Sequence, residues 1–201
     1  MIKSSTIRNG YFGNKHDLGD LKSLVRSVNP SKEALLSFAQ MNQTHSSNVK
    51  VVSLGGIYES DGIFTTEKNL VLAVQTADCM PILLKNDRFV AAVHIGWKGL
   101  SNNIFDTAIK KVGTDNLQVS IGPHAQKCCY EVQKDVASVF PESIEKKDNK
   151  LYLKLAENIS NYCLENNIEM EVSEICTICA NDYFSYRKDK TKQRQYSFIW
   201  I

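Results

Sequence analysis

The sequence predicts a single layered domain of strands and helices, α/β or α+β in class. Strand-like apolar runs alternate with helix-like ones along the chain. The 201 residues suit one domain. Hydrophobic residues at 43% and charged residues at 23% are those of an ordinary globular protein. A domain of this size hides roughly 70% of its unfolded surface, so it needs no staples to hold a core. There is no internal repeat, and only four prolines, so long Pro-rich linkers are excluded.

The stretch up to about Asp20 is rich in Gly and Asn and reads as irregular. Lys32 to Gln40 predicts a short helix with Ser31 as N-cap. Asn48 to Leu54 reads as a strand ending at Gly55-Gly56. Leu70 to Val74 is a buried-strand run leading into Thr76-Ala77-Asp78-Cys79; Pro81 to Leu84 follows, then a polar turn over Lys85 to Arg88. Phe89 to Val93 is a second buried strand, ending at His94. Ile104, Phe105, Ala108, Ile109 and Val112 share one helical face, predicting a helix over Asn102 to Val112 closed by Gly113. Leu117 to Ile121 reads as a strand stopped by Gly122-Pro123. A helix is expected after Glu131 and another over Leu151 to Asn166, then a strand from Ile168 to Val172 and a closing strand from Tyr196 to Ile201. None of this fixes the strand order.

A formal net charge of +2 is too small to argue for nucleic acid or an anionic membrane as partner. No segment approaches the roughly 18 uninterrupted apolar residues of a membrane span. Met1 to Thr6 leads into Arg8 and Asn9 with no apolar h-region, so the cytoplasm is the expected compartment. The six cysteines are then thiols or metal ligands, not a disulfide framework.

Four histidines are present: His16, His45, His94 and His124. His94 ends an apolar strand and precedes a Gly-rich turn; Cys79 lies just beyond another; His45 sits in the polar loop Gln43 to Ser47. Side chains at strand ends are held by the sheet yet can face a cleft. Imidazole, thiolate and imidazole together suit Zn²⁺. Three protein ligands leave one tetrahedral position open, the catalytic form of such a site, where a bound water can reach a pKa near ~7. Asp78 beside Cys79 reads as an acceptor behind a ligand or as a general base. The spacings of 34 and 15 residues form no standard metal motif, and a single strand-end His or Cys is more often structural. H-E-x-x-H, P-C-x-x-C with H-x-E, both nucleotide-binding Gly motifs and G-x-S-x-G are all absent.

Cys176-Thr177-Ile178-Cys179 has C-x-x-C spacing and Cys128-Cys129 is a vicinal pair. A Cys₄ zinc site is conceivable, but vicinal ligands are poor geometry and the C-x-x-C lies in an apolar, strand-like run, so buried thiols are expected. Arg187, Lys188, Lys190, Lys192 and Arg194 form a basic cluster, read as a solvated loop or as an anion site with Arg187 or Arg194 as bidentate donor. Trp97 suits stacking on a purine, or packing.

Gln43-Thr44-His45, Thr76-Ala77-Asp78-Cys79-Met80-Pro81-Ile82-Leu83, Ala91 to Gly99, Ile121-Gly122-Pro123 with Cys129 to Val132, and Phe184 to Arg187 occur in that order. Over residues 40 to 195 the chain resembles the multicopper polyphenol oxidase (laccase-domain) family, of the YfiH/YlmD purine nucleoside phosphorylase type. The resemblance implies a single α+β domain over residues 1–201, with mixed β-sheets packed between helices as a layered α/β/β/α sandwich. It implies zinc on His45, Cys79 and His94, which are also the catalytic residues, and substrate binding by Asp78, Trp97, Lys98 and Arg187. The implied activities are phosphorolysis of adenosine, inosine and S-methyl-5′-thioadenosine, with adenosine deaminase activity besides. The implied partners are a purine nucleoside and phosphate, with the oligomeric state open, a monomer included. A four-copper laccase needs about ten histidines and this chain has four, so copper is disfavoured. Lys98 stands where the family has Arg, keeping the charge and losing the planar fork. His124 stands where many members have Cys, and the family's T-R-x-G-G-V-S motif is missing from the N-terminal region.

Two other readings use the same residues. In a cysteine hydrolase, Cys79 is the nucleophile, His94 its base and His45 or Asp78 the orienter, with peptidoglycan-precursor editing as a related proposal for the family. In a non-catalytic module, zinc serves stability alone.

Overall fold

The structure is a computed structural model that describes residues 1–17, 19–30 and 36–201. Two six-stranded mixed sheets stack face to face. The first runs, in spatial order, β1 (Ile2–Lys3), β2 (Gly10–Phe12), β15 (Gln195–Ile199), β7 (Leu70–Thr76), β3 (Ser37–Asn42) and β5 (Gly56–Glu59). The second runs β14 (Glu169–Val172), β10 (Gln118–Ile121), β8 (Met80–Lys85), β9 (Val90–Ile95), β6 (Gly62–Thr65) and β4 (Val49–Val51). A small third sheet joins β11 (Glu131–Val132), β13 (Lys150–Leu153) and β12 (Ile144–Lys147).

The apolar runs follow from the layering. Successive side chains of a strand point to opposite faces. On β7, Leu70, Leu72 and Val74 enter the inter-sheet layer with Ile63, Leu83, Val90 and Ala92. Val71 and Ala73 face the other way, under Leu21, Leu24 and Val25 of α1 (Leu21–Val28). On the second sheet, Ile82, Leu84, Ala91 and Val93 pack outward with Ile104, Phe105, Ala108 and Ile109 of α3 (Ile104–Val112) and with Ile159 and Cys163 of α5 (Glu157–Glu165). Strands covered on both faces lose their polar alternation and read as continuous hydrophobic runs. The result is the expected α/β/β/α sandwich. Truncating an inter-sheet side chain such as Leu72 to Ala costs about 2–5 kcal/mol.

Helix ends follow local chemistry. The Asp20 carboxylate accepts the Ser23 N–H at 2.8 Å and opens α1. Gly113, at φ 76°, closes α3 by donating its N–H to the Ile109 carbonyl.

Several expectations need correcting. Residues 37–42, placed in or beside a helix over Lys32 to Gln40, form β3, pairing in parallel with β5 and β7. Ser31, the expected N-cap, and residues 32–35 lie outside the described residues. The helix over Leu151 to Asn166 splits into β13, in a hairpin with β12, and α5 from Glu157. The helix over Asn102 to Val112 begins at Ile104, after the short α2 (Trp97–Ser101). The strand over Asn48 to Leu54 shortens to Val49–Val51, and the N-terminal stretch contains β1 and β2. Among the described residues, no helix is long and apolar enough to cross a membrane.

Candidate active site and metal centre

The site lies at one end of the second sheet, where strand register gathers its residues. β8 and β9 are antiparallel with Met80 opposite Ile95 and Pro81 opposite His94. Cys79, just ahead of β8, therefore arrives beside His94. β6 pairs with β9 on the other side, Gly62 opposite Val93. That places Asp61 next to His94, whose N–H donates to the Asp61 carbonyl at 2.7 Å. His45 comes from the loop after β3.

Asp61 organises this end of the sheet. It is fully buried. Its carboxylate accepts the Nδ1–H of His94 at 2.8 Å, the N–H of His45 at 3.0 Å, the N–H of Ser46 at 2.6 Å and the Ser46 hydroxyl at 2.7 Å. Burial alone would raise the Asp61 carboxyl, but the hydrogen bonds from His94 and Ser46 outweigh it and hold the group well below the usual carboxylate range. With Nδ1 held by Asp61, the other ring nitrogen of His94 is left for the site, the arrangement that orients metal-bound imidazoles. The same contacts hold His45 at a positive φ of 61°.

The donor atoms of His45, Cys79 and His94 all lie within 4.8 Å of one another. Cys79 Sγ is 3.6 Å from His45 Nε2, and the two imidazole rings meet edge to face at 4.8 Å between centroids. Burial disfavours the Cys79 thiolate, yet hydrogen bonds and charge from the two histidines bring its pKa down to about 6. His94 moves the opposite way: against burial, Asp61 and Cys79 push it up to about 9. Gly96 admits this convergence, since a Cβ there would stand 3.0 Å from both Cys79 Sγ and His45 Cδ2.

Two clefts share the wall formed by His45, Cys79 and Tyr186. One, about 520 Å³, is lined by Met41, Gln43, Gln75, Thr76, His94 and Arg194 besides. The other, about 410 Å³, carries three cations, Lys98, Arg187 and Lys190, with Trp97, Tyr130 and Asp78.

Asp78, at φ 85°, turns its carboxylate toward the loops behind the site, accepting from the Thr177 hydroxyl at 2.8 Å and the Arg187 N–H at 2.6 Å. The acceptor behind His94 is Asp61 instead, which no motif announced; a lone Asp in Ser60-Asp61-Gly62 reads as a turn. The Arg187 guanidinium donates to the Glu131 carbonyl at 2.6 Å and stacks 5.3 Å from the Tyr130 ring centroid. Lys98 lies 5.7 Å from the Trp97 ring centroid. Arg194 donates to carbonyls of its own loop, Thr191 and Gln193. His124 is buried against the Gly122 carbonyl, and His16 pairs with Asp182 at the surface, so two of the four histidines converge.

The expectation of four buried thiols at the other cysteines is overturned. Cys128 and Cys179 are exposed, Cys129 is half-buried and Cys176 is buried. Their sulfurs gather within 4.8 Å of one another.

The family model of the multi-copper polyphenol oxidoreductase laccases matches residues 19–201. The chain belongs to this family. The laccase-family chain is similar to a protein named purine nucleoside phosphorylase from Aquifex aeolicus, 37% identical over 71% of each chain. A purine nucleoside phosphorylase of Clostridium acetobutylicum is 36% identical over 79% of this chain and 75% of its own. The YfiH purine nucleoside phosphorylase of Shigella flexneri is 30% identical over 80% and 72%. Among solved structures, a Neisseria meningitidis protein superposes with a TM-score of 0.75 at 25% identity, covering 96% of this chain and 90% of its own. YlmD from Geobacillus stearothermophilus shares the fold, with a TM-score of 0.75 at 24% identity over 97% and 89%.

Proposed function

We propose that this laccase-family chain is a zinc-dependent purine nucleoside phosphorylase with adenosine deaminase activity, acting on adenosine, inosine and S-methyl-5′-thioadenosine. The observation that carries the proposal is the convergence of His45, Cys79 and His94 where two chemically different clefts meet, His45 and Cys79 lining both and His94 the larger. The relatives' names support the reaction class.

The donor set fits one Zn²⁺ with an open position: two imidazoles, one low-pKa thiolate and a buried carboxylate behind His94. Two converging histidines suit one ion and fall short of a four-copper centre. When bound, Zn²⁺ supplies Lewis acidity where the clefts meet, the chemistry that hydrolytic loss of the adenosine amino group requires.

The protein's own groups do the rest. Lys98, Arg187 and Lys190 bind phosphate in the cationic cleft. Asp78, Glu131 and Tyr130 hold Arg187 in place beforehand, which limits the entropy lost on binding. The nucleoside occupies the larger cleft, with its ribose at the shared wall, while Trp97 lines the cationic cleft on the phosphate side. A phosphate oxygen attacks C1′, the C1′–N9 bond breaks, and the purine leaves with a proton. The partners are then a purine nucleoside and inorganic phosphate, and the compartment is the cytoplasm. Zinc-loaded protein given inosine and phosphate is expected to release hypoxanthine and ribose 1-phosphate in equal amounts. Hypoxanthine no higher than in a Cys79→Ala control defeats the proposal.

One observation favours a second reading. Cys79, His94 and Asp61 form a nucleophile, base and orienter in line, with Asp61 in the orienter's role rather than His45 or Asp78. Metal content separates the two. A metal-free chain that hydrolyses a muropeptide and is silenced by iodoacetamide would be the cysteine hydrolase.

A further inference from the structure

We propose that Cys128, Cys129, Cys176 and Cys179 form a second metal site, a closed tetrathiolate centre for Zn²⁺ that locks two loops together beside the cationic cleft. It stands apart from the His45, Cys79 and His94 site and does not depend on the reaction assigned there.

The geometry is close to that of a filled site. In a tetrahedral centre with Zn–S bonds of about 2.3 Å, the sulfurs stand about 3.8 Å apart. Here all four lie within 4.8 Å of one another, with Cys128 and Cys179 at 3.3 Å. The vicinal pair contributes both sulfurs because Cys129 and Tyr130 both return their N–H groups to the Gln126 carbonyl, folding the backbone into a tight turn. Facing it, the segment after β14 carries Cys176 and Cys179, with the Ala180 N–H closing a turn onto the Cys176 carbonyl at 2.9 Å.

The two loops are aligned by polar ties. His124 and Cys176 form a parallel bridge, the Thr177 N–H donates to the His124 carbonyl, and the Gln126 side chain donates to the Ser173 carbonyl at 2.7 Å. The Gln126 N–H points at Cys176 Sγ at 3.4 Å. An amide aimed at sulfur stabilises the thiolate, the form that binds metal. Metal binding draws on the deprotonated sulfurs, so an ion here couples to the ordering of both loops. Four soft ligands with no open position are the structural form of a zinc site.

The location indicates the role. Tyr130 and Glu131, which hold the Arg187 guanidinium, directly follow Cys129. Thr177, between the other two ligands, donates to Asp78. An ion here would fix the loops behind the cationic cleft.

The test uses the full chain and Zn²⁺ alone. Native protein is expected to hold two zinc ions per chain, and a His45→Ala/Cys79→Ala variant one, with X-ray absorption showing four sulfurs around it at about 2.3 Å. Cys176→Ser/Cys179→Ser is expected to lose that ion and keep the other. Should that variant fail to fold, alkylation of the native chain gives the answer: zinc protects Cys128, Cys129, Cys176 and Cys179 from iodoacetamide at least about tenfold, and a chelator exposes them. A triad variant that binds no zinc, alkylation rates indifferent to zinc, or a Cys128–Cys179 disulfide in chain kept under reducing conditions would each overturn the proposal.

Discussion

The two sulfur-bearing clusters of this chain are built in opposite ways. His45, Cys79 and His94 stand at the end of a sheet, placed by the β8–β9 register and by a buried carboxylate that touches two of the three residues. The four cysteines stand on two loops about fifty positions apart, held by a short bridge and a few side-chain hydrogen bonds. The first offers three ligands with a cleft on either side; the second offers four ligands. A scaffold that fixes its ligands in advance can leave a coordination position for chemistry. A pair of loops uses its ion as the crosslink.

The largest expected effect comes from breaking the first cluster alone. Cys79→Ala should lower inosine phosphorolysis by more than about a hundredfold, since even partners behind a ligand cost 10–100-fold. Its melting temperature should stay within a few degrees of native, because sheet register does not depend on that sulfur. Removing the ion from the second cluster should act chiefly on stability. At free zinc near 1,000 times Kd the ion adds about 4 kcal/mol, so chelation in the His45→Ala/Cys79→Ala background should lower Tm by on the order of 10 °C by calorimetry. An unchanged Tm would break the comparison.

Smaller effects sharpen it. Asp61→Asn should weaken zinc binding at the first cluster by about 10–100-fold while leaving the cysteine cluster's metal count untouched. Gly96→Ala should crowd Cys79 and His45, costing about 1–3 kcal/mol in stability and slowing turnover. The smallest effect is at Glu171, which accepts from Ser4, Ser5 and Ser120 and ties the N-terminal turn to the strand leading into the Cys176 loop. Burial raises its pKa, but the serine hydrogen bonds lower it further, below the ordinary 4.5. Its stabilisation is therefore complete above pH 4.5 and fades as pH falls through the lower folded-state value. Glu171→Gln should flatten the acid side of a stability–pH curve.

What could be read from the sequence depended on how each segment is held. β7 and β9 were legible because both faces are buried and the apolar run is unbroken. Ser37 to Gln40 read as the end of a helix because Lys, Glu, Ala and Leu before them favour one, while pairing with β5 and β7 makes them part of β3. β5 is an edge strand with three of its four residues exposed and shows no burial pattern. α1 was missed although its signal was present, Asp20 as cap with Leu21, Leu24 and Val25 on one face. Of the first cluster, Cys79 and His94 stand out singly at strand ends and His45 in a polar loop, and the motif resemblance joins the three. Asp61 carried no such mark, because its role comes from lying opposite His94 across a strand pair. The cysteine cluster is hidden in the sequence by its vicinal pair and by the apolar run around the C-x-x-C, and the turn at Gln126 is what makes that pair serviceable.

The most direct measurement is anomalous diffraction at the zinc edge from crystals grown with Zn²⁺. A peak within about 2.0–2.3 Å of the ring nitrogens of His45 and His94 and of Cys79 Sγ, with a non-protein atom completing the tetrahedron, is the predicted result. Zinc bound elsewhere with these three side chains bare, or four protein ligands closing the position, would contradict it.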